Sequence, residues 1–163
     1  MEEKPLNQVY KGYTYFKEED IIFTKVTPSM ENGNFAIAKN LINGIGFGSS
    51  EYHIVRCQKN VYNKLVWLFF RSDFLKEIAK KTMRGSGGLQ RVPKEFFDKQ
   101  TIPLPKPHKS YTSYDIQKIL VEFLEYNLDL VEKYREKLNN IEADIALMED
   151  GLVPAIFDKL MLR

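Results

Sequence analysis

Between Thr112 and Leu152 apolar residues recur at heptad spacing, a pattern that limits what the chain can fold into more than any other feature in it. With Gln117 at position a, Leu124, Val131, Leu138, Ile145 and Leu152 also fall on a, while Leu120, Asn127, Tyr134, Ile141 and Met148 fall on d. Eight of those eleven positions are apolar and a ninth is Tyr. Sustained over about five heptads, such a seam marks a coiled coil rather than an ordinary amphipathic helix. A helix of about 35 to 40 residues would run roughly 50 to 60 Å, and no other segment is long enough to cover its stripe. The seam therefore calls for a second helix, from another chain or from a further part of the protein. Leu124, Val131, Tyr134, Leu138, Ile141 and Ile145 are the expected dimerisation residues. A helix lying along its own globular domain is the ordinary alternative. Asn127, polar at a d position, favours instead a pair of fixed register. Thr112 and Asp115 have capping-box spacing, so the helix is predicted to start at Thr112 or Ser113. Pro154, just after Gly151, is predicted to end or kink it, leaving a short helical segment over Ala155–Leu162.

The rest of the chain supplies a globular part. With 163 residues, 44% of them apolar, there is material for one real core beside the helix. The expected fold class is α+β: a small mixed domain over residues 1–111, followed by one long coiled-coil helix and a short C-terminal helix over residues 112–163. The single cysteine, Cys57, cannot form an internal disulfide. With no signal peptide and no apolar run of transmembrane length, the sequence reads as cytoplasmic, with no membrane partner. Cys57 follows a strand-like stretch with no Cys-His motif in view, so it is expected to be a small buried filler rather than a nucleophile.

A net charge of +2 conceals an asymmetry. Residues 1–112 hold 18 Lys and Arg against 11 Asp and Glu, a net +7, whereas residues 113–163 hold 6 against 11, a net −5. A basic globular part on an acidic helix points to a polyanion met by the globular part, against the alternative of charges scattered over solvated faces.

Met1–Glu19 is polar and aromatic, without helix signature, and suits an extended segment or edge strand. Strands are predicted over Asp20–Val26 and Phe35–Ala38, separated by a loop holding the turn dipeptide Asn32-Gly33. Gly44, Gly46 and Gly48 alternate before Ser49, Ser50 and the strand-like Ile54–Arg56. A phosphate-binding fingerprint opens a helix, and this run opens a strand, so close backbone packing is expected instead of a nucleotide. His53 reads as a hydrogen-bonded structural side chain. With one other histidine, His108, and one cysteine, a zinc site is not expected. Val61–Arg71 and Asp73–Met83 are predicted helices, the second capped by Ser72. Lys76, Lys80, Lys81 and Arg84 crowd toward its C-terminal end, which suits the helix dipole and suits phosphate contacts equally. Gly85, Gly87 and Gly88 would let the backbone approach a phosphate closely, with Arg91 just beyond. A short amphipathic stretch, Lys94–Lys99, precedes Thr101–Pro107, which reads as a stiff extended connector.

Three segments resemble one family. Val26-Thr-Pro-Ser-Met-Glu-Asn-Gly33 is similar to the I-T-P-C-F-E-N-G segment of many specificity subunits of type I restriction-modification enzymes. Gly44-Ile-Gly-Phe-Gly-Ser-Ser-Glu-Tyr-His53 resembles the G-S-T-E-F-H segment that follows it there. Gly87-Gly-Leu-Gln-Arg-Val-Pro93 with Ile102-Pro-Leu-Pro105 resembles the G-x-Q-R-V-P and P-I-P-L-P sequence that leads into the family's helix. Order, spacing and the succeeding coiled coil agree over about residues 10 to 160. The resemblance implies a target-recognition domain that reads one half of a split site on double-stranded DNA, mounted on a helical spacer. It implies as partners methyltransferase and restriction subunits, and another copy or second specificity half through the coiled coil. Against that family the chain carries one unit rather than two and is expected to lack about half of a recognition domain on its N-terminal side. Ser29 and Met30 stand where Cys and Phe are usual, and Asn34 where Lys is frequent.

Gly33, Gly46, Gly48 and Pro93 read as scaffold, while Asn32, Asn34, Ser49, Ser50, Gln90 and Arg91 could reach phosphates or base edges from loops. With Lys80, Lys81 and Arg84 these are the expected DNA-binding residues. No N-P-P-Y-like methylation motif, no G-x-x-x-x-G-K-[ST] loop and no nuclease-type set of carboxylates and lysine is present, so neither catalysis nor a cofactor is expected of this chain. The alternatives are a small nuclease, the C-terminal specificity region of a single-chain restriction-methylation enzyme, and a coiled-coil scaffold with an incidental basic domain.

Overall fold

The computed structural model describes residues 3–30, 32–86 and 88–161. Glu31 and Gly87, which belong to the motifs above, and Leu162 lie outside the described residues. The architecture is α+β, in two compact units, Met1–Leu120 and Val121–Arg163.

In the first unit the antiparallel strands β1 (Thr14–Lys17), β2 (Ile21–Thr24), β3 (Phe35–Ile37), β4 (Ile45–Gly48) and β5 (Tyr52–Val55) form two small sheets. One has the order β3-β2-β5, with Ile21 opposite Ile37 and Val55, and Phe23 opposite Phe35 and His53. The other is the pair β1-β4, with Tyr15 opposite Phe47 and Phe16 opposite Gly46. β2 alternates as a half-buried strand should: Ile21 and Phe23 are buried, Ile22 and Thr24 less so. Against this sheet pack α2 (Asn63–Arg71), α3 (Asp73–Thr82) and α4 (Lys94–Asp98), which contribute Val66, Phe70, Leu75, Ala79 and Phe96 to the core. Phe23 is its hub, with ring centroids 4.3 Å from Phe97, 5.4 Å from Phe35 and 5.8 Å from Phe70. Ser72 separates α2 from α3 with non-helical backbone at φ −59° and ψ 139°, and caps α3 by accepting the Leu75 N–H at 3.4 Å.

Three local expectations change. The glycine run does more than open a strand; it is itself β4. Glycine suits it because Phe16 of β1 lies where a Cβ on Gly46 would be, and Tyr52 lies 2.5 Å from a Cβ on Gly48. Near the N-terminus a single turn, α1 (Leu6–Val9), is closed by Tyr10 N–H donating to Leu6 O at 2.9 Å. One turn is too short to leave a periodic signal.

The third change concerns the long helix. α5 runs from Ser113 to Met161 and passes through Pro154 without ending. A proline inside a helix removes one backbone hydrogen bond and crowds the carbonyl four residues back, about 3 kcal/mol together, and here it lies among strong helix formers, Ala146, Leu147, Met148 and Leu152 before it and Ala155, Lys159 and Leu160 after it. The start is a capping box as expected: Asp115 N–H donates to Thr112 Oγ1 at 3.1 Å while Thr112 N–H donates to Asp115 Oδ2 at 3.1 Å. Gln117 departs from its seam assignment. It is fully buried in the first unit, accepting from Tyr62 N–H at 2.8 Å and donating to Asn60 O at 3.0 Å and Ser113 Oγ at 3.2 Å. A polar residue at this a position thus answers backbone groups of the domain rather than a partner helix. Beyond it Val131, Tyr134, Leu138, Ile141 and Ile145 are exposed. Asn127 spends an amide hydrogen on its own helix, at Phe123 O (2.7 Å). Among the described residues no helix is long and apolar enough to cross a membrane.

Candidate nucleic-acid interface

Parts of all three motif segments, residues 26–27, 50–53 and 88–92, come together in one hydrogen-bonded cluster. β2 ends at Thr24, and the chain beyond it runs beside residues 88–92: Val92 N–H donates to Lys25 O at 2.8 Å and Thr27 N–H to Gln90 O at 2.9 Å. Thr27 Oγ1 donates to Gly88 O and accepts from Gln90 N–H, each at 3.0 Å. The second motif joins from the other side. Lys25 N–H donates to Glu51 O at 3.0 Å, and Lys25 Nζ to Ser50 O at 2.7 Å. His53 Nε2 meets Val92 O at 3.0 Å. Since a carbonyl only accepts, that nitrogen carries the proton. Burial first, and then the nearby Lys25 and Lys94, hold the His53 pKa below its ordinary value despite the Val92 bond, so the ring is neutral and structural.

The loop Pro28–Asn34 is compact. Met30 is buried, Asn32 N–H donates to Pro28 O at 3.0 Å and Asn34 N–H to Ser29 O at 3.2 Å. Gly33, at φ 69°, occupies the left-handed region that the Asn-Gly turn requires. Its neighbour is Lys76 of α3, whose Nζ also reaches Asp73 at 2.7 Å.

After α3 the chain turns straight into an antiparallel pairing of Arg84 with Arg91, with bonds of 3.0 and 2.8 Å, that closes a six-residue loop. Gly85, at φ 139°, permits the closure, since a Cβ there would collide with the Leu89 carbonyl oxygen. From Ile78 to Lys94 the sequence contains no acidic residue and five cations, Lys80, Lys81, Arg84, Arg91 and Lys94. Asn32, Asn34, Ser49, Ser50, Lys80, Lys81, Arg84, Gln90 and Arg91 are all exposed. Arg84, Gln90, Arg91 and Ser50 belong to the cluster directly. Asn32 and Asn34 lie on the adjoining loop, and Lys80 and Lys81 on the last turn of α3, where Lys80 Nζ is 3.1 Å from Glu77.

Two residues the sequence did not single out matter here. Glu51 holds Arg91 in a forked pair, with Nη2 to Oε1 at 2.6 Å and Nε to Oε2 at 2.9 Å. The pairing lowers the Glu51 pKa and raises that of Arg91, the hydrogen bonds being the main cause in both. Thr27 is the second, as the pin of the 88–90 backbone. Both lie inside the motif segments, yet their pairing across 40 and 63 positions leaves no local signal. Cys57 is half-buried, and burial pushes its thiol up to about 11, which makes it a poor nucleophile. Among the described residues no group of three His, Cys, Asp or Glu is placed to hold a metal ion.

Residues 2–143 match the family described as the type I restriction modification DNA specificity domain. The chain is 33% identical over 147 residues to the type I restriction enzyme EcoAI specificity subunit of Escherichia coli, covering 90% of this chain and 24% of that subunit. It is 37% identical over 103 residues to the EcoEI specificity subunit of the same organism, covering 63% of this chain and 17% of that subunit. The chain therefore spans about a quarter or less of the length of these relatives. No solved structure gives a significant match.

Proposed function

Because this chain belongs to the family of type I restriction modification DNA specificity domains, we propose that it is a non-catalytic DNA-recognition component of a type I restriction-modification system. Residues 1–111 read one half of a split site on double-stranded DNA. Residues 112–163 form a helical spacer whose seam takes a second copy or a second specificity half. The assembly directs methyltransferase and restriction subunits, which carry out the chemistry.

The observation that carries this reading is the convergence of the three motif segments on one exposed cluster beside a span with five cations and no acid. A protein that reads DNA needs a sequence-blind grip on phosphates and a few polar side chains at base edges. Lys81 and Arg84 suit the grip. Asn32, Asn34, Ser49, Ser50 and Gln90 have the amide and hydroxyl chemistry that base edges or phosphates accept. Arg91 contributes to either only by exchanging or sharing its bond to Glu51, so it is the residue whose role depends most on the bound state.

Gel shift on duplex DNA, with and without a type I methyltransferase subunit, tests the proposal. Retarded duplex, sharpened to one sequence when the subunit is added, is the expected result. A chain that shifts no duplex under either condition contradicts it.

A further inference from the structure

Glu51 occupies only one of the two forked edges of the Arg91 guanidinium. A guanidinium has a side edge, made by Nε–H and one N–H of Nη2, and an end edge, made by the other N–H of Nη2 and one of Nη1. Glu51 takes the side edge, with Nη2 to Oε1 at 2.6 Å and Nε to Oε2 at 2.9 Å. Among the described residues nothing accepts a hydrogen bond from Nη1, so the end edge stays open on a side chain 47% exposed.

Both partners stand on fixed backbone. Arg91 N–H donates to Arg84 O at 2.8 Å and Arg84 N–H to Arg91 O at 3.0 Å. Glu51 O accepts the Lys25 N–H at 3.0 Å, while Glu51 N–H donates to Ser49 Oγ at 3.1 Å. Lys25 Nζ, 3.9 Å from Glu51 Oε2, tethers the carboxylate to a second cation. An exposed ion pair adds little stability; what this one does is orient the remaining edge. A free arginine loses rotamer freedom when it binds a ligand, and here much of that loss precedes binding.

The open edge carries two parallel N–H donors. Two acceptor sets on duplex DNA match it, a pair of phosphate oxygens and the O6 with N7 of a guanine in the major groove. The carboxylate chooses between them. It shares Nη2 with whatever binds the end edge, and at that range it repels a phosphate but not an uncharged base edge.

We propose that Glu51 is a positioning residue that makes Arg91 a guanine reader, holding the side edge so that Nη1 and Nη2 donate to O6 and N7 of one guanine in the major groove. This rests on the DNA-recognition reading above and deepens it by assigning one G·C pair of the half-site to a named side chain. Phosphate contacts are left to Lys81 and Arg84.

The test uses the full chain with a type I methyltransferase subunit, on duplexes selected from a random pool and resynthesised with 7-deazaguanine, which lacks N7, at one guanine at a time. Arg91→Lys keeps the cation but not the fork. It is expected to lower affinity for the selected duplex about tenfold through one G·C pair, with an unchanged salt slope. At that pair 7-deazaguanine is expected to weaken wild type and to leave Arg91→Lys unaffected. Glu51→Gln loosens Arg91 and removes the repulsion. It is expected to bind unselected duplex more tightly, with a salt slope steeper by about one unit, and to lose preference for guanine at the same pair. Opposite changes in affinity and preference separate positioning from a damaged fold, which lowers both. If both variants keep wild-type affinity and preference at every pair, the ion pair is scaffold and the proposal is overturned. If Glu51→Gln loses affinity for all duplexes, Glu51 supports the fold and the proposal is again overturned. Selection that succeeds with no guanine sensitive to 7-deazaguanine overturns the guanine contact while DNA recognition stands. If no duplex is selected at all, the DNA-recognition reading fails and the guanine contact fails with it.

Discussion

Asp20 ties three parts of the first unit together. Its carboxylate is buried, accepts the Lys17 N–H at 2.7 Å, and is gripped in a fork by Arg56 at 2.8 and 2.7 Å. Burial alone would raise its pKa. The Arg56 and Lys17 bonds overcome this and leave it below the ordinary carboxylate value. A depressed folded-state pKa contributes stability that is present above the unfolded value, about 3.9, and is lost as pH falls through the folded one. Asp20→Asn should therefore destabilise by about 2 kcal/mol near pH 7, since hydrogen bonds to a charged group are at stake and Arg56 remains half in water. The gap to wild type should shrink in denaturant titrations below about pH 4. A gap independent of pH would show that shape, not charge, matters there. Gly46 gives a second residue-scale expectation. Gly46→Ala must displace the buried Phe16 ring, at about 1 to 3 kcal/mol, measurable as a lowered denaturation midpoint with unchanged m-value.

At the level of elements, the capped helix starts, the strand that became β2 and the heptad spacing were legible because each is a local pattern. Ser72 and Thr112 act within three residues of themselves. What could not be read was the pairing of elements. β4 was hidden because its glycines have no side-chain periodicity and are explained only by the rings of Phe16 and Tyr52 arriving from elsewhere. Gln117 fitted the heptad count, and only the Asn60–Tyr62 backbone shows why it is polar. The seam itself makes a direct prediction. Leu138 and Ile141 are both more than half exposed, and a helix pair would bury them. Wild-type chain at tens of micromolar should self-associate by light scattering, whereas Leu138→Glu with Ile141→Glu should be monomeric, since unpaired charge in an apolar seam costs several kcal/mol. A monomeric wild type, indistinguishable from the variant, would mean the seam does not pair copies of this chain.

For the whole molecule, charge and family agree in direction. The +7 of residues 1–112 against the −5 of residues 113–163 was visible from the sequence, as were the motifs that carry the family resemblance. Their meeting in one cluster was not, because Thr27 with Gln90 and Glu51 with Arg91 are pairings across dozens of residues. In the function proposed, this cluster and the basic end of α3 face DNA. Phosphate contacts release counterions, so each one lost flattens the plot of log affinity against log salt by about one unit. The direct measurement is that slope for the chain assembled with a methyltransferase subunit on a selected duplex, in wild type and in the double variant Lys81→Ala with Arg84→Ala. The double variant is expected to bind every sequence more weakly, with a slope flatter by about two units. Equal affinity and equal slope would contradict it, leaving the basic end of α3 as a complement to its helix dipole.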